Sequence, residues 1–319
     1  MCTLIGMSVS ASVHAAVSGF LSPRACDPGL ESWLSPHWFV SPAIASCSRL
    51  ALILPGTAGK PRDYRALANH AATLGCHALV LSYPNDTSIN ELAGENASLH
   101  EALRLDHWDG GRRTGAVGLG PGDSILERLA SALAKLSEQY PEHGWGRYLA
   151  PLPGQELSQA VAWDKVVGIG HSLGGGYVAL AAKLHRLDRA VVMGWADWCR
   201  ESGQIADWIR SDTPFATPPQ RRFVLVHERD EMVPYGMARA VAGYFCPDTQ
   251  VRRVESGSYP WERVRWLATD FDPSSEWPVP APCHNCLALD VCTPRWPDGS
   301  AVLEDAWSWL LAGEETGDS

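Results

Sequence analysis

The most direct indication of catalysis in this sequence is a serine flanked by glycines. The segment Gly170-His171-Ser172-Leu173-Gly174 follows an apolar run at 166–169 and precedes a helical pattern that begins at Tyr177. Gly-x-Ser-x-Gly between a strand and a helix is the pattern of a nucleophile elbow, a sharp turn that presents the serine hydroxyl to a substrate. The turn leaves room only for small residues two positions either side of the serine. The segment therefore predicts nucleophilic acyl transfer by Ser172.

A carboxylate is expected downstream of Ser172. A serine hydroxyl is a weak nucleophile at neutral pH, so it needs a histidine base, and that base needs a carboxylate to orient it. For this kind of elbow the chain order is serine, acid and histidine. Asp230 fits this order, because it follows a strand pattern at 223–227 and begins an Asp-x-x-Val-Pro segment. Asp197, which follows the preceding strand pattern, is the main alternative acid, and Glu228 and Glu231 are solvated alternatives beside Asp230.

His284 is the expected base, because it is the only one of the 11 histidines that lies downstream of Asp230. It precedes the last helical pattern of the chain by a short segment, where the base loop of such an enzyme belongs. His171 and His227 are expected to be structural. The ring of His171 should point away from the substrate, and His227 ends a strand pattern.

Two backbone N–H groups are needed to stabilise the negative charge that develops on the substrate oxygen. One is expected from Leu173, the residue after the serine. The other is expected from Thr57, in the glycine-flanked loop 55–59 that follows the first strong strand pattern. The sequence therefore predicts an oxyanion hole at Thr57 and Leu173.

With these residues in this order, the chain resembles the α/β-hydrolase superfamily over about residues 50–311. The segments 37–42, 54–57 and 82–85, together with the Gly-His-Ser elbow, are similar to those of a poorly characterised bacterial branch of that superfamily. The resemblance implies a mainly parallel central sheet with helices on both faces and loop insertions over the active site. It also implies that the protein is a serine hydrolase, but it does not identify a substrate.

Strand and helix patterns alternate along the chain, which independently predicts an α/β protein with a mainly parallel sheet. Strands are expected at 50–54, 78–82, 166–169, 190–194, 223–227 and 250–254, and helices at 63–74, 123–140, 177–187, 237–244 and 302–311. Two stretches, about 84–122 and 255–282, break this alternation and are interpreted as insertions that form the pocket. The expected organisation is an N-terminal extension at 1–48, a single α/β-hydrolase domain at 49–313 and a tail at 314–319.

Composition and charge limit the kinds of molecule that the protein is expected to bind. The chain of 319 residues has a net charge of -10 and no run of Lys or Arg, so nucleic acid is a poor candidate. No stretch approaches the ~18 consecutive apolar residues of a membrane span, so none is expected. Residues 4–21 are uncharged and form a weak candidate signal segment, which leaves a cytoplasmic or a secreted location open. The oligomeric state is open as well.

No metal and no cofactor are expected. Cys283 and Cys286 form a Cys-x-x-Cys pair, and Cys292 follows them, but no second pair or nearby histidine set completes a four-ligand site. A disulfide in this loop and buried free thiols both remain open.

These residues predict a carboxylic ester hydrolase that acts on a small-molecule ester or acyl substrate through an acyl-enzyme. An amidase, a thioesterase or an acyltransferase on the same triad is one alternative. A hydrolase-fold protein that binds without catalysis is the other.

Overall fold

The computed structural model describes residues 15–43, 45, 47–120, 122–150, 154–248, 250–256, 259–261, 263–274 and 278–313. Within these residues nine strands form one sheet: β1 (Val17–Leu21), β2 (His37–Ser41), β3 (Leu50–Leu54), β4 (His77–Val80), β5 (Val166–His171), β6 (Arg189–Met193), β7 (Arg222–His227), β8 (Val251–Arg253) and β9 (Trp266–Thr269). Their spatial order is β1-β2-β4-β3-β5-β6-β7-β9-β8. Strand β2 runs antiparallel to both neighbours, and every other neighbouring pair in this sheet is parallel. The predicted mainly parallel sheet is confirmed.

Helices cover both faces of the sheet. They are α1 (Pro23–Cys26), α2 (Arg65–Thr73), α3 (Ile89–Ala93), α4 (Leu99–Asp109), α5 (Ile125–Gln139), α6 (Leu173–Leu184), α7 (Asp207–Arg210), α8 (Tyr235–Phe245), α9 (Pro282–Asn285) and α10 (Glu304–Ala312). Successive side chains of a strand point to opposite faces, so the buried strands supply two cores. In β3, Leu50, Leu52 and Leu54 pack with α4, α5, α6 and α8, whereas Ala51 and Ile53 pack with α2 and α10. This two-sided burial confirms the α/β class.

The sheet begins earlier in the chain than predicted. Strands β1 and β2 lie within the expected N-terminal extension 1–48, yet both pair into the central sheet. The expected start at residue 49 is therefore too late. The candidate signal segment falls mostly on residues 1–14, which lie outside the described residues, as does the tail at 314–319. No helix among the described residues is long and apolar enough to cross a bilayer.

The two expected insertions contain regular structure. The first holds α3 and α4, and α4 buries polar residues such as Arg104 and Asp106, so its apolar periodicity is weak. The second holds β9, which lies between β7 and β8. The stretch 255–282 therefore contributes a strand to the central sheet. The strand expected at 250–254 is an edge strand and does not pair with β7.

Helix α6 begins at Leu173, four residues before the expected start at 177. Three consecutive glycines in its first turn are poor helix formers, which hides the pattern in the sequence. They let the helix approach the sheet, because a Cβ on Gly175 would lie 2.6 Å from Cβ of Trp195. The close approach sets the position of the turn that precedes the helix.

Candidate active site

Ser172 occupies a strained turn between β5 and α6. Its backbone has φ 53° and ψ -119°, a conformation that L-residues rarely adopt. The flanking glycines leave no space for a side chain. A Cβ on Gly170 would lie 2.2 Å from the carbonyl oxygen of Gly174, and one on Gly174 would lie 2.0 Å from the carbonyl oxygen of Leu54. The turn has the backbone geometry of a nucleophile elbow, and Ser172 lines a cavity next to it.

The structure brings the expected acid and base together. Asp230 follows β7, His284 lies on α9, and Oδ2 of Asp230 is 2.7 Å from Nδ1 of His284. The backbone N–H groups of Met232 and Val233 both donate to Oδ1 of Asp230 at 2.8 Å. These two bonds fix the carboxylate and leave its second oxygen to the imidazole. Both side chains are nearly inaccessible to solvent, at 2% for Asp230 and 5% for His284.

Asp197, the alternative acid, is engaged elsewhere. Its carboxylate accepts two hydrogen bonds from the Arg104 guanidinium, at 2.6 and 2.5 Å. The indole N–H groups of Trp195 and Trp208 donate to the same carboxylate at 2.9 and 3.1 Å. Burial disfavours the charge, but the Arg104 guanidinium outweighs it and holds the pKa of Asp197 below its usual value. Asp197 is therefore the counter-ion of Arg104, and the carboxylate on His284 is Asp230.

Two backbone N–H groups beside the cavity lack a protein acceptor among the described residues. Thr57, in the loop after β3, and Leu173, the first residue of α6, line the same cavity as Ser172 and His284. Within the described part of the chain, neither of these N–H groups donates to a protein acceptor. The first N–H groups of a helix have no partner inside the helix, which leaves that of Leu173 available. These two N–H groups are therefore candidates for an oxyanion hole.

Neighbouring side chains hold the loop that carries Thr57. The hydroxyl of Tyr64 accepts the Gly56 N–H at 2.8 Å. The side-chain amide of Asn85 donates to the carbonyl oxygens of Gly56 and Gly59 at 2.7 and 2.8 Å. The Gly56–Thr57 peptide is therefore held at its carbonyl oxygen, and the peptide before it is held at its N–H.

The two histidines that were expected to be structural have partners through both ring nitrogens. Nδ1 of His171 lies 3.0 Å from the Tyr64 hydroxyl, and its Nε2 lies 3.1 Å from the carbonyl oxygen of His284. Nε2 of His227 lies 2.9 Å from the carbonyl oxygen of Phe271. Its Nδ1 accepts the backbone N–H of Arg229 at 3.0 Å. Neither ring is free to act on a substrate.

Glu231 connects the acid loop to the base loop, a contact that the sequence does not reveal. Its two carboxylate oxygens accept the backbone N–H groups of Cys283 and His284, at 3.1 and 2.9 Å. Partial burial opposes the charge, but these N–H donors lower the pKa of Glu231 below its usual value. The other acidic neighbour, Glu228, instead forms an ion pair with Arg253. Glu231 thus holds the backbone of the expected base in place.

The cavity beside Ser172 has a volume of about 570 Å³. Its walls are mostly apolar side chains from several elements, namely Ile89, Trp195, Trp198, Met232, Val233 and Val279. Ile89 lies on α3 in the first expected insertion, and Val279 lies in the second. Both stretches therefore contribute walls to the cavity.

The three cysteines near the base are buried free thiols in the structure. Burial is the main cause that raises the pKa of the Cys283 thiol to about 11, and it raises that of Cys292 to about 11 as well. The described residues contain no group of three or more His, Cys, Asp or Glu side chains arranged to hold a metal ion.

Neither a family model nor a curated protein matches the chain. Among solved structures, it is similar to the crystal structure of TT1662 from Thermus thermophilus, at 15% identity, with a TM-score of 0.40. The match covers 81% of this chain and 88% of that one. A likeness this distant carries no argument about activity, so function has to be argued from the site.

Proposed function

We propose that the protein is a serine hydrolase that cleaves carboxylic esters through a Ser172–His284–Asp230 triad. One observation carries the proposal. A serine on a strained turn, a histidine already bonded to a carboxylate and two unpartnered N–H groups all border one cavity. Each of these features is costly to build or hold, and together they supply the nucleophile, the base and the charge stabilisation of acyl transfer.

The contact between Asp230 and His284 supports one placement of the protons. Asp230 is the acceptor for Nδ1–H of His284, so the lone pair of Nε2 is left to take the proton from Ser172. The serine oxygen attacks the ester carbonyl, and the N–H groups of Thr57 and Leu173 stabilise the oxyanion. Collapse of this intermediate breaks the bond to the alcohol, which leaves with the proton from His284. Water then attacks the acyl-enzyme with the same base and releases the acid.

The cavity walls favour an uncharged, apolar group beside the reacting carbonyl. Burying apolar surface contributes about 25 cal/mol per Å², so each further methylene that fits strengthens binding by about 0.8 kcal/mol. Trp195, Trp198 and Ile89 offer such a surface. We therefore propose short to medium acyl chains as substrates.

The test is hydrolysis of p-nitrophenyl esters from acetate to decanoate. We expect turnover in the wild type, a maximum at an intermediate chain length, and loss of turnover in Ser172→Ala. Ser131→Ala is the matched control, because its hydroxyl bonds only the carbonyl oxygen of Arg128 on α5. Turnover of a matched thioester or anilide in place of the ester would identify a thioesterase or an amidase on the same triad. A folded wild type without turnover on any of these compounds would contradict the proposal.

A further inference from the structure

A chain of buried hydrogen bonds connects the Thr57 loop to the base loop. The Gly56 N–H donates to the Tyr64 hydroxyl at 2.8 Å, and that hydroxyl lies 3.0 Å from Nδ1 of His171. On the other side of the ring, Nε2 of His171 lies 3.1 Å from the carbonyl oxygen of His284. We call these three bonds the His171 link. They join three separate parts of the sequence beneath the cavity.

Only one arrangement of protons satisfies the His171 link. The carbonyl oxygen of His284 can only accept, so Nε2 of His171 has to donate. A neutral imidazole has one N–H, so Nδ1 is an acceptor, and the Tyr64 hydroxyl donates to it while it accepts from Gly56. Burial holds the ring neutral, since it lowers the pKa of His171 to about 3, with the nearby His284 as a further cause. Burial likewise raises the pKa of Tyr64 above its usual value.

The link constrains the direction of the Thr57 N–H. In a trans peptide the C=O and N–H groups point in opposite directions. Asn85 holds the carbonyl oxygen of Gly56, which lies in the same peptide plane as the Thr57 N–H. Tyr64 holds the Gly56 N–H, which lies in the preceding peptide plane, so both planes that meet at Gly56 have little freedom. Gly56 also packs closely on its neighbours, because a Cβ there would lie 3.0 Å from Nδ1 of His171 and 3.1 Å from Cβ of Ser172.

The link acts on the base as well. The backbone of His284 is held at its N–H by Glu231 and at its carbonyl oxygen by His171, and its imidazole is held by Asp230. Three contacts, two from the loop after β7 and one from the end of β5, fix one residue. A displacement of His171 would therefore reach both the base and the Thr57 loop.

We propose that Tyr64 and His171 are positioning residues, which set the oxyanion hole and the catalytic base relative to each other. The proposal rests on the proposed function above. Both side chains are almost inaccessible to solvent and are bonded to protein partners, so both act through Thr57 and His284. A misplacement of reacting groups by about 1 Å can cost about 100-fold in rate, so the link matters to turnover more than to binding.

The test compares two tyrosine substitutions that remove the same kind of bond. Tyr64→Phe breaks the link, and Tyr148→Phe breaks the other buried tyrosine–histidine bond, in which the hydroxyl lies 2.9 Å from Nδ1 of His77. We expect the melting temperature to decrease by a similar amount in both variants. We expect kcat to fall by about 10-fold or more only in Tyr64→Phe, with KM little changed, because the loss is in transition-state stabilisation.

Substitutions at His171 separate the two ends of the link. His171→Gln retains a donor for the carbonyl oxygen of His284, and His171→Asn retains an acceptor for Tyr64. We expect each to recover part of the kcat that His171→Ala loses. Histidine ¹⁵N shifts of the wild type supply a readout that does not depend on activity, and we expect a neutral Nε2–H form of His171 at pH 5.

Each outcome decides the proposal. Values of kcat within twofold of the wild type in folded Tyr64→Phe and His171→Ala would overturn the positioning role while ester hydrolysis by the wild type stands. A charged or Nδ1–H form of His171 at pH 5 would overturn the link itself. A wild type that neither hydrolyses esters nor reacts with a fluorophosphonate would overturn the proposed function, and the positioning role with it.

Discussion

Oδ2 of Asp230 lies 2.7 Å from Nδ1 of His284, although 54 positions separate the two residues in the sequence. Strands β8 and β9 lie between them in the chain, and the chain returns to the cavity at α9. The other carboxylate near the cavity, Asp197, is bound on both oxygens by Arg104 and two indoles. The two acids therefore have different roles, and substitution can tell them apart.

Asp230→Asn is expected to lower kcat by about 10⁴-fold with little loss of stability, because the amide no longer holds His284 in the required tautomer. Asp197→Asn is expected to lower the free energy of unfolding by about 3–5 kcal/mol, because it leaves the buried Arg104 charge without its partner. Ester hydrolysis and urea unfolding measure the two effects. An active Asp230→Asn, together with an inactive but stable Asp197→Asn, would reverse the assignment.

Gly174→Ala is expected to abolish activity and to destabilise the protein. The added Cβ would lie 2.0 Å from the carbonyl oxygen of Leu54, so the turn at Ser172 has to move. Gly243→Ala is the matched control, since Gly243 lies inside α8 and a Cβ there meets nothing within 4 Å. That control should raise the free energy of unfolding by about 0.5–1 kcal/mol and leave turnover unchanged. Equal effects of the two substitutions would argue against a strained elbow.

Much of the sheet and the expected site is readable from sequence, because the signals are local. The patterns at 50–54, 166–169 and 223–227 lie on β3, β5 and β7, where apolar runs are buried on both faces. The order serine, acid, histidine placed Asp230 and His284 without knowledge of their contact. Strand β9 escaped prediction because it is only four residues long and lies in a stretch rich in Pro and Ser.

Other features depend on contacts between distant segments and have no local signal. The sequence predicts a solvated side chain for Glu231, because its bonds to the backbone of α9 exist only in the folded chain. Tyr64 reads as part of a helical pattern, and its hydroxyl serves the Thr57 loop and His171. Helix α4 is hidden because its buried face carries Arg104 to balance Asp197. Polar pairs of this kind remove the apolar periodicity on which prediction relies.

Glu231→Ala is expected to lower kcat by about 10-fold, because the backbone N–H groups of Cys283 and His284 lose their acceptors and the base loop loosens. Glu228→Ala is its control, since it removes only a peripheral ion pair with Arg253, a kind of interaction worth about 0–1 kcal/mol. Steady-state kinetics on one p-nitrophenyl ester measures both variants. This role of Glu231 is contradicted if both variants have the same kcat as the wild type.

Stability is expected to fall as the pH drops from about 6.5 towards 4. Burial is the main cause that lowers the pKa of His37 and His171 to about 3 and that of His77 to about 4. In this window the unfolded chain binds protons at these histidines and the folded chain does not, so the free energy of unfolding decreases with decreasing pH. Each histidine contributes at most about 1.4 kcal/mol per pH unit.

One buried carboxylate has the opposite effect on the free energy of unfolding as the pH falls. Burial raises the pKa of Asp290 to about 6, so the folded chain takes up that proton before the unfolded chain does. It is one group against the three histidines above and His185, whose pKa burial also lowers to about 4. Urea unfolding at pH 7, 6, 5 and 4 measures the balance. In His37→Gln the free energy of unfolding should change less with pH, because the Ser82 N–H no longer bonds to a group that titrates. A free energy of unfolding that does not change over this range would contradict the expectation.

The central claim is that Ser172 is an activated nucleophile, and covalent labelling tests it most directly. A fluorophosphonate reacts with such a serine without the need to guess the substrate, and peptide mass spectrometry locates the adduct. We predict one adduct on Ser172 of the wild type, none in Ser172→Ala, and at least about 10³-fold slower labelling in His284→Ala. A folded wild type that gains no adduct, or a Ser172→Ala variant that gains the same adduct as the wild type, would contradict the account.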